Sequence, residues 1–283
     1  MKIAFWNVGG MGTSSAGKIA VVRAWCDEVK PDLFFLSEIS HGINATFRLT
    51  SMKIESWATH NDKNGNHGTK DIVLFVRDGT TTQALETAKF ERAKAVTKER
   101  QENGLVVNAA RRDNVGTFIQ AGGSWVSVYG IHANASYSGG VTAITCADQS
   151  INNPRIKELI IVGGDFNGTG QGGLSANTKK VTPLNYAGHA LAFTQWAKSD
   201  KVAALTRGNA NFDQAVYAEY CNGIYMAPQN VDRSTKQVDR HQLIDYVLCS
   251  KGLNIVALNN CKDEAEWCNI LSEFDHAPIL YQV

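Results

Sequence analysis

The sequence predicts an α/β chain of the α+β type, with two packed mixed β-sheets and helices on their outer faces. Three observations carry that prediction. Short apolar runs of strand length, bounded by Gly, Pro or polar clusters, recur from one end of the chain to the other. Helical patterns separate only some of these runs. Elsewhere one run follows another through turn-like "RDG" and "AGGS", as in hairpins, which argues against the strict strand–helix alternation of a parallel doubly wound sheet.

Taken in order, "KIAFWNV" reads as the first strand and ends on Asn7. Between Lys18 and Lys30, the apolar Ile19, Val22, Trp25 and Val29 recur at the spacing of one helix face, and Pro31 stops the helix. "DLFFLSE", "DIVLFVR", "GLVVNAA" and "SWVSVYGIHA" follow as strands. Val141 to Ile151, after Gly139 and Gly140, is the second helix, "ELIIVGGDF" a strand, and His189 to Lys198 a third helical stretch. "QLIDYVLC" and "APILYQV" complete the set. With five prolines and no linker, charge block or fixed-period repeat, residues 1–283 read as a single domain.

The net charge of +1 provides no global field toward nucleic acid or anionic membrane, so a polyanion would have to meet a local patch. Lys89 to Arg112 is the candidate, with seven basic residues against three acidic ones, although a solvated face is the commoner meaning of a charge run. The six cysteines form no C-x-x-C pair, which disfavours a structural zinc site, and their even number permits disulfides without indicating a pairing. No apolar run reaches about 18 residues, and the first strand begins almost at Met1. The expectation is a soluble chain without a secretory signal, cytoplasmic by default, with secreted or effector-like delivery left open.

Gly12 to Lys18 spells G-x-x-x-x-G-K, but the hydroxyl that a nucleotide-binding P-loop needs next is replaced by Ile19. "GGMG" lacks the third glycine of a dinucleotide-binding turn. More informative is where the acids and histidines fall. Glu38 follows "LFFLS", Asp165 follows "LIIVGG", His132 ends "WVSVYGI", and Asp275 with His276 precedes "APIL", so each projects from a strand end, where a cleft forms. Glu38 and Asp275 with the amide of Asn7 suit a hard divalent cation, Mg²⁺ first, or Mn²⁺ or Ca²⁺. Asp165 and Asn167 are two apart, so their side chains share a face in an extended segment, one to orient water and one to bind phosphate. His132 and His276 suit phosphodiester hydrolysis, in which one group assists the attacking water and another the departing oxygen. Asp71 and Asp245 are the candidate acids that fix their tautomers. His41, three residues past Glu38, is near enough along the chain to touch a substrate.

These segments also carry a resemblance. "FWNVGG", "FFLSEIS", "GIHANAS", "VGGDFNG", "LIDYVL" and "FDHAPI" resemble, in this order and across nearly the whole chain, the endonuclease/exonuclease/phosphatase superfamily. Within it, "TKDIVLF" and "IHANAS" look most like deoxyribonuclease I and the catalytic B subunits of cytolethal distending toxins. The resemblance implies a four-layer sandwich and metal-dependent cleavage of DNA phosphodiester bonds with little sequence specificity. It puts Glu38 at the metal with Asn7 and Asp275 close by, and pairs His132 with Asp71 and His276 with Asp245. It makes Asp165 and Asn167 the water- and phosphate-positioning pair. Asn134 and either Arg111 or Arg112 then contact substrate, and companion subunits are conceivable for a toxin-like chain. Two departures stand out: Asp71 occupies the place of a glutamate, and Phe274 that of a serine. A phosphoinositide phosphatase or sphingomyelinase-type esterase is the alternative within the superfamily, and a non-catalytic binding module the alternative outside it.

Overall fold

Twelve strands among the described residues form two six-stranded sheets in a computed structural model of the chain. The structure describes residues 1–61, 67–85, 114–133, 137–154, 156–168, 173–184, 243–263, 266, 269–270 and 273–283. The elements run β1 (Lys2–Met11), α1 (Ala16–Val29), β2 (Leu33–Ser40), β3 (Met52–Asn61), β4 (His67–Arg77), β5 (Thr82–Ala84), β6 (Asn114–Ala121) and β7 (Ser124–His132). They continue with α2 (Tyr137–Ile151), β8 (Leu159–Asp165), β9 (Thr178–Val181), β10 (Asp245–Ser250), β11 (Val256–Leu258) and β12 (Ile279–Gln282).

The strand orders are β11-β12-β1-β2-β4-β3 and β5-β6-β7-β8-β10-β9. Each sheet has one parallel pair at its centre, β1/β2 in the first and β7/β8 in the second, and every other named pair is antiparallel. A parallel pair needs a crossover, and α1 and α2 supply the two. The predicted mixed sheets with helices outside are what the chain forms.

Successive side chains on a strand face opposite sides, so a strand covered on both faces reads as an unbroken apolar run. Trp6 and Phe34 pack outward with Trp25 of α1, while their neighbours Phe5 and Phe35 pack inward between the sheets. Phe166, Tyr246 and Ile160 pack with Ala143 and Ala147 of α2 on the far face. The three cores separate the four layers of the sandwich. Lys30 ends α1 with a left-handed φ of 52°, its N–H returning to the Cys26 carbonyl before Pro31.

The middle core contains a close fit. Phe5 and Phe35 are register partners and stack with centroids 4.9 Å apart. Beneath them Gly130 and Gly163 are also register partners. A Cβ on Gly130 would come within 2.2 Å of Phe35, and one on Gly163 within 2.4 Å of Phe5. The paired glycines are the recess that lets the two sheets close over the phenyl stack.

Several expectations change. "AGGS" does turn the β6–β7 hairpin, but "RDG" carries the chain from β4 in one sheet toward β5 in the other, so it is a crossing between layers. The second helix begins at Tyr137 and runs through its glycines. Gly140 is needed there because a Cβ would lie 2.7 Å from the Asn167 carbonyl oxygen. "GLVVNAA", His189 to Lys198 and the basic stretch Lys89 to Arg112 lie outside the described residues. Cys26, Cys146, Cys249 and Cys261 are free thiols. No helix among the described residues is long and apolar enough to cross a membrane.

Candidate active site

The C-terminal ends of the two parallel pairs meet. Asn7 lies opposite Ser37 near the ends of β1 and β2, and both strands then slip register. The irregularity puts Glu38 at φ 60°, a left-handed conformation costly for a side chain other than Gly, and such strain is characteristic of functional sites. In the other sheet His132 is paired with Asp165, and Asp165 in turn with Asp245 across β10. His276 arrives just before β12, its carbonyl accepting a hydrogen bond from the Trp6 indole at 2.9 Å.

One oxygen organises the side chains. Asp165 Oδ2 accepts a hydrogen bond from Asn7 Nδ2 at 2.9 Å and lies 3.7 Å from His132 Nε2 and 3.9 Å from His276 Nε2. The other oxygen, Oδ1, accepts the Asn167 N–H at 2.7 Å. Glu38 Oε1 lies 3.2 Å from His132 Nε2 and 3.5 Å from Asn7 Nδ2. His276 Nδ1 lies 2.8 Å from Asp245 Oδ2, which fixes its ring and turns Nε2 toward Asp165. Burial opposes charge on His276, but the carboxylates of Asp245, Asp165 and Asp275 outweigh it and raise its pKa to about 10. The imidazolium is thus the form expected at neutral pH.

Most of the predicted residues converge here, and some do so in other roles. The Gly9 N–H donates to Asn7 Oδ1 at 3.0 Å, so the Asn7 oxygen is engaged and its NH₂ faces the carboxylates. Asn7 therefore links Glu38 to Asp165, where an oxygen ligand for the ion was expected. Asp71 bonds His41, with Nδ1···Oδ1 at 3.3 Å, and does not pair with His132 as expected. Its backbone is paired with Ile39, two residues before His41, which accounts for the exchange of partners. Asp275 sits beside the C-terminal part of β1, its Oδ1 only 2.8 Å from where a Gly9 Cβ would stand. Asn167, at φ 49°, donates its side-chain amide to the Ala133 carbonyl at 2.7 Å. Arg111, Arg112 and Asn134 lie outside the described residues.

Lys18 and Phe274 serve the packing around β1. Lys18 donates to the Val8 and Gly9 carbonyls at 3.0 and 2.8 Å, and lies over the Phe274 ring. The apparent P-loop lysine clasps the C-terminal part of β1. Phe274 is fully buried against Trp6 and belongs to the core under α1.

The ligand atoms suit a hard cation. Among the described residues, Asp165, Asp245 and His276 bring candidate ligand atoms within 4.8 Å of one another, and the two carboxylates stay open to a cation while the imidazole is protonated. Glu38 adds a further carboxylate oxygen near Asn7 Nδ2 and His132 Nε2, both of which also approach Asp165 Oδ2. This oxygen-rich group fits Mg²⁺ or Mn²⁺ by donor chemistry.

No family model matches the chain, and no curated protein matches it. Solved structures do, across its whole length. An endonuclease/exonuclease/phosphatase family protein from Leptotrichia buccalis C-1013-b has TM-score 0.54 and 15% identity, covering 100% of this chain and 98% of its own. D. rerio TDP2 complexed with single strand DNA product has TM-score 0.55 and 13% identity, covering 100% and 99%. The Bacteroides thetaiotaomicron VPI-5482 mannosyl-6-phosphatase Bt3783 has TM-score 0.55 and 11% identity, covering 100% and 98%.

Proposed function

We propose that this chain, which has the fold of the endonuclease/exonuclease/phosphatase proteins, is a divalent-metal-dependent phosphoester hydrolase and, more narrowly, a deoxyribonuclease I-like endonuclease. The observation that carries the reading is the convergence of Asn7, His132 and His276 on one oxygen of Asp165, with Asp245 behind His276. Core packing has no use for so many polar groups on one buried oxygen.

Glu38 and Asp165 would hold the cation, which when bound offsets charge on the phosphate oxygens and lowers the pKa of water. The chain supplies the rest. Asp165 Oδ2 accepts a proton from the attacking water, and Asn7 holds that carboxylate in place. His276, kept protonated by Asp245, donates Nε2–H toward the charge that grows on the phosphate. His132, partnered by Glu38, gives a proton to the departing oxygen as the bond from phosphorus to that oxygen breaks and the bond from the water oxygen forms. The Asn167 loop, held by Asp165 and Ala133, is the phosphate-positioning wall.

The test is nicking of supercoiled plasmid in Mg²⁺, with and without chelator, on wild type, His132→Ala and His276→Ala. Loss of a catalytic acid or base costs roughly 10²–10⁴-fold in rate. Mg²⁺-dependent nicking that falls by that factor in both variants supports the nuclease reading. Intact plasmid with phosphate released from mannose 6-phosphate or a phosphoinositide assigns the site to phosphate monoesters, and no turnover of any substrate overturns the hydrolase reading.

A further inference from the structure

His41 lies three residues beyond Glu38, at the sheet end where β1, β2 and β4 bring Asn7, Glu38 and Asp71 together. Ser40 donates to the Gly10 carbonyl at 3.3 Å, which ties this segment to the end of β1. The ring of His41 is 60% exposed, whereas the Asp71 side chain that holds its Nδ1 is 0% exposed. Among the described residues, none hydrogen-bonds the buried Asp71 Oδ2. A carboxylate removed from water and left half satisfied costs stability, which a purely structural pair would have no reason to sustain. With Nδ1 fixed on Asp71, the imidazole turns Nε2 outward as its free polar edge.

We propose that His41 is a substrate-contacting residue that binds a phosphate one unit away from the scissile phosphate, with Asp71 as its positioning residue. The location selects this role. Asp165, Asp245 and His276 are buried at the reacting centre, so a group as exposed as His41 meets the part of the substrate that lies over the rim. Asp71, His41 and the phosphate form a carboxylate–imidazole–phosphate chain. Its outer bond runs from Nε2–H to an anionic phosphate oxygen and is therefore charge-assisted. The recognised chemistry is a substrate with at least two phosphates in a chain, such as an oligonucleotide.

The proposal rests on the phosphodiesterase reading, and the experiment separates the two. Hydrolysis of a 12-nucleotide single strand and of bis(p-nitrophenyl) phosphate, which has a single phosphate, is compared for wild type, His41→Ala, His41→Arg and Asp71→Asn. Binding of the fluorescently labelled strand in chelator is measured alongside, and thermal melts confirm folding. A charge-assisted hydrogen bond predicts that His41→Ala raises the KM for the strand about tenfold, with kcat changed less than about twofold. The KM shift for the small ester should be several-fold smaller, the chelator-bound Kd should weaken in parallel, and His41→Arg should recover most of the loss. Asp71→Asn should move KM in the same direction, which a stability role alone would not do. Equal shifts for both esters, a fall confined to kcat, or no shift would each overturn the role of His41. If wild type hydrolyses neither ester, the phosphodiesterase reading fails, and a His41-dependent Kd for the strand would still support the contact. If it binds no strand either, both fail.

Discussion

His276 is the residue at which charge and stability are most closely linked. Its imidazolium has Asp245 at 2.8 Å and Asp165 at 3.9 Å, and its pKa rises to about 10 from an unfolded value of about 6.5. A folded pKa above the unfolded one contributes stability that is fully present below about pH 6.5 and is lost as pH rises through about 10. In chelator, the denaturant midpoint of wild type should therefore fall between pH 6.5 and 10, and His276→Gln should lack that component. A wild-type profile that stays flat over this range would contradict it. Asn7 makes a second residue-level case. Asn7→Asp replaces an NH₂ that bonds two carboxylates with a third negative charge, which should cost at least about 2 kcal/mol through a buried unpaired group. Denaturant unfolding in chelator measures this, and added Mg²⁺ should recover part of it. The presence of both residues at a site is legible from sequence, because each ends or precedes an apolar strand. Which end of the Asn7 amide faces the acids, and whether Asp71 serves His132 or His41, depend on contacts two sheets apart, which sequence spacing does not encode.

At the scale of elements, predictability followed cover. Strands buried on both faces, such as β1, β2, β7 and β8, carry unbroken apolar runs and were legible. The four edge strands β3, β5, β9 and β11 were not, because an edge is partly exposed and its sequence is mixed, as in "MKIESWATHN" and "TKKV". β6 escaped for another reason. Gly116 interrupts its run where a Cβ would meet the Val128 carbonyl oxygen at 2.6 Å, and Thr117, fully buried, donates its hydroxyl to Glu55 of the opposite sheet. The same close approach makes a prediction at the centre of the sandwich. Gly163→Ala places a methyl carbon 2.4, 2.5 and 2.9 Å from three Phe5 ring carbons, so the phenyl stack or the sheets must shift. The expected loss is about 1–3 kcal/mol, the usual cost of overpacking a filled core. Combining it with Phe5→Leu should recover part of the loss in denaturant unfolding, since the two side chains compete for one volume. Recovery no larger than additivity would refute the paired-glycine recess.

The described residues form two similar halves facing each other, each with one parallel pair and one crossover helix, and the site is formed only where they meet. Asn7 and Glu38 come from the first sheet, His132, Asp165 and Asp245 from the second, and His276 from the approach to β12. Neither sheet alone carries both carboxylates proposed to hold the cation. Its binding must then favour the docked sandwich over any state in which the sheets separate, and this links ligand binding to global unfolding. For a single site the stabilisation is RT ln(1 + [L]/Kd), about 2.7 kcal/mol at a hundredfold excess over Kd. The thermal midpoint of wild type should therefore climb steadily with Mg²⁺ concentration and return to its starting value on adding chelator. Glu38→Gln should lose most of that climb, although it removes a residue from the first sheet alone, and Asp165→Asn should lose it from the second. A Mg²⁺ response that survives Glu38→Gln but disappears in Asp245→Asn would place the ion in the buried Asp165, Asp245 and His276 cluster, within one sheet and the β12 approach, and remove the first sheet from cation binding.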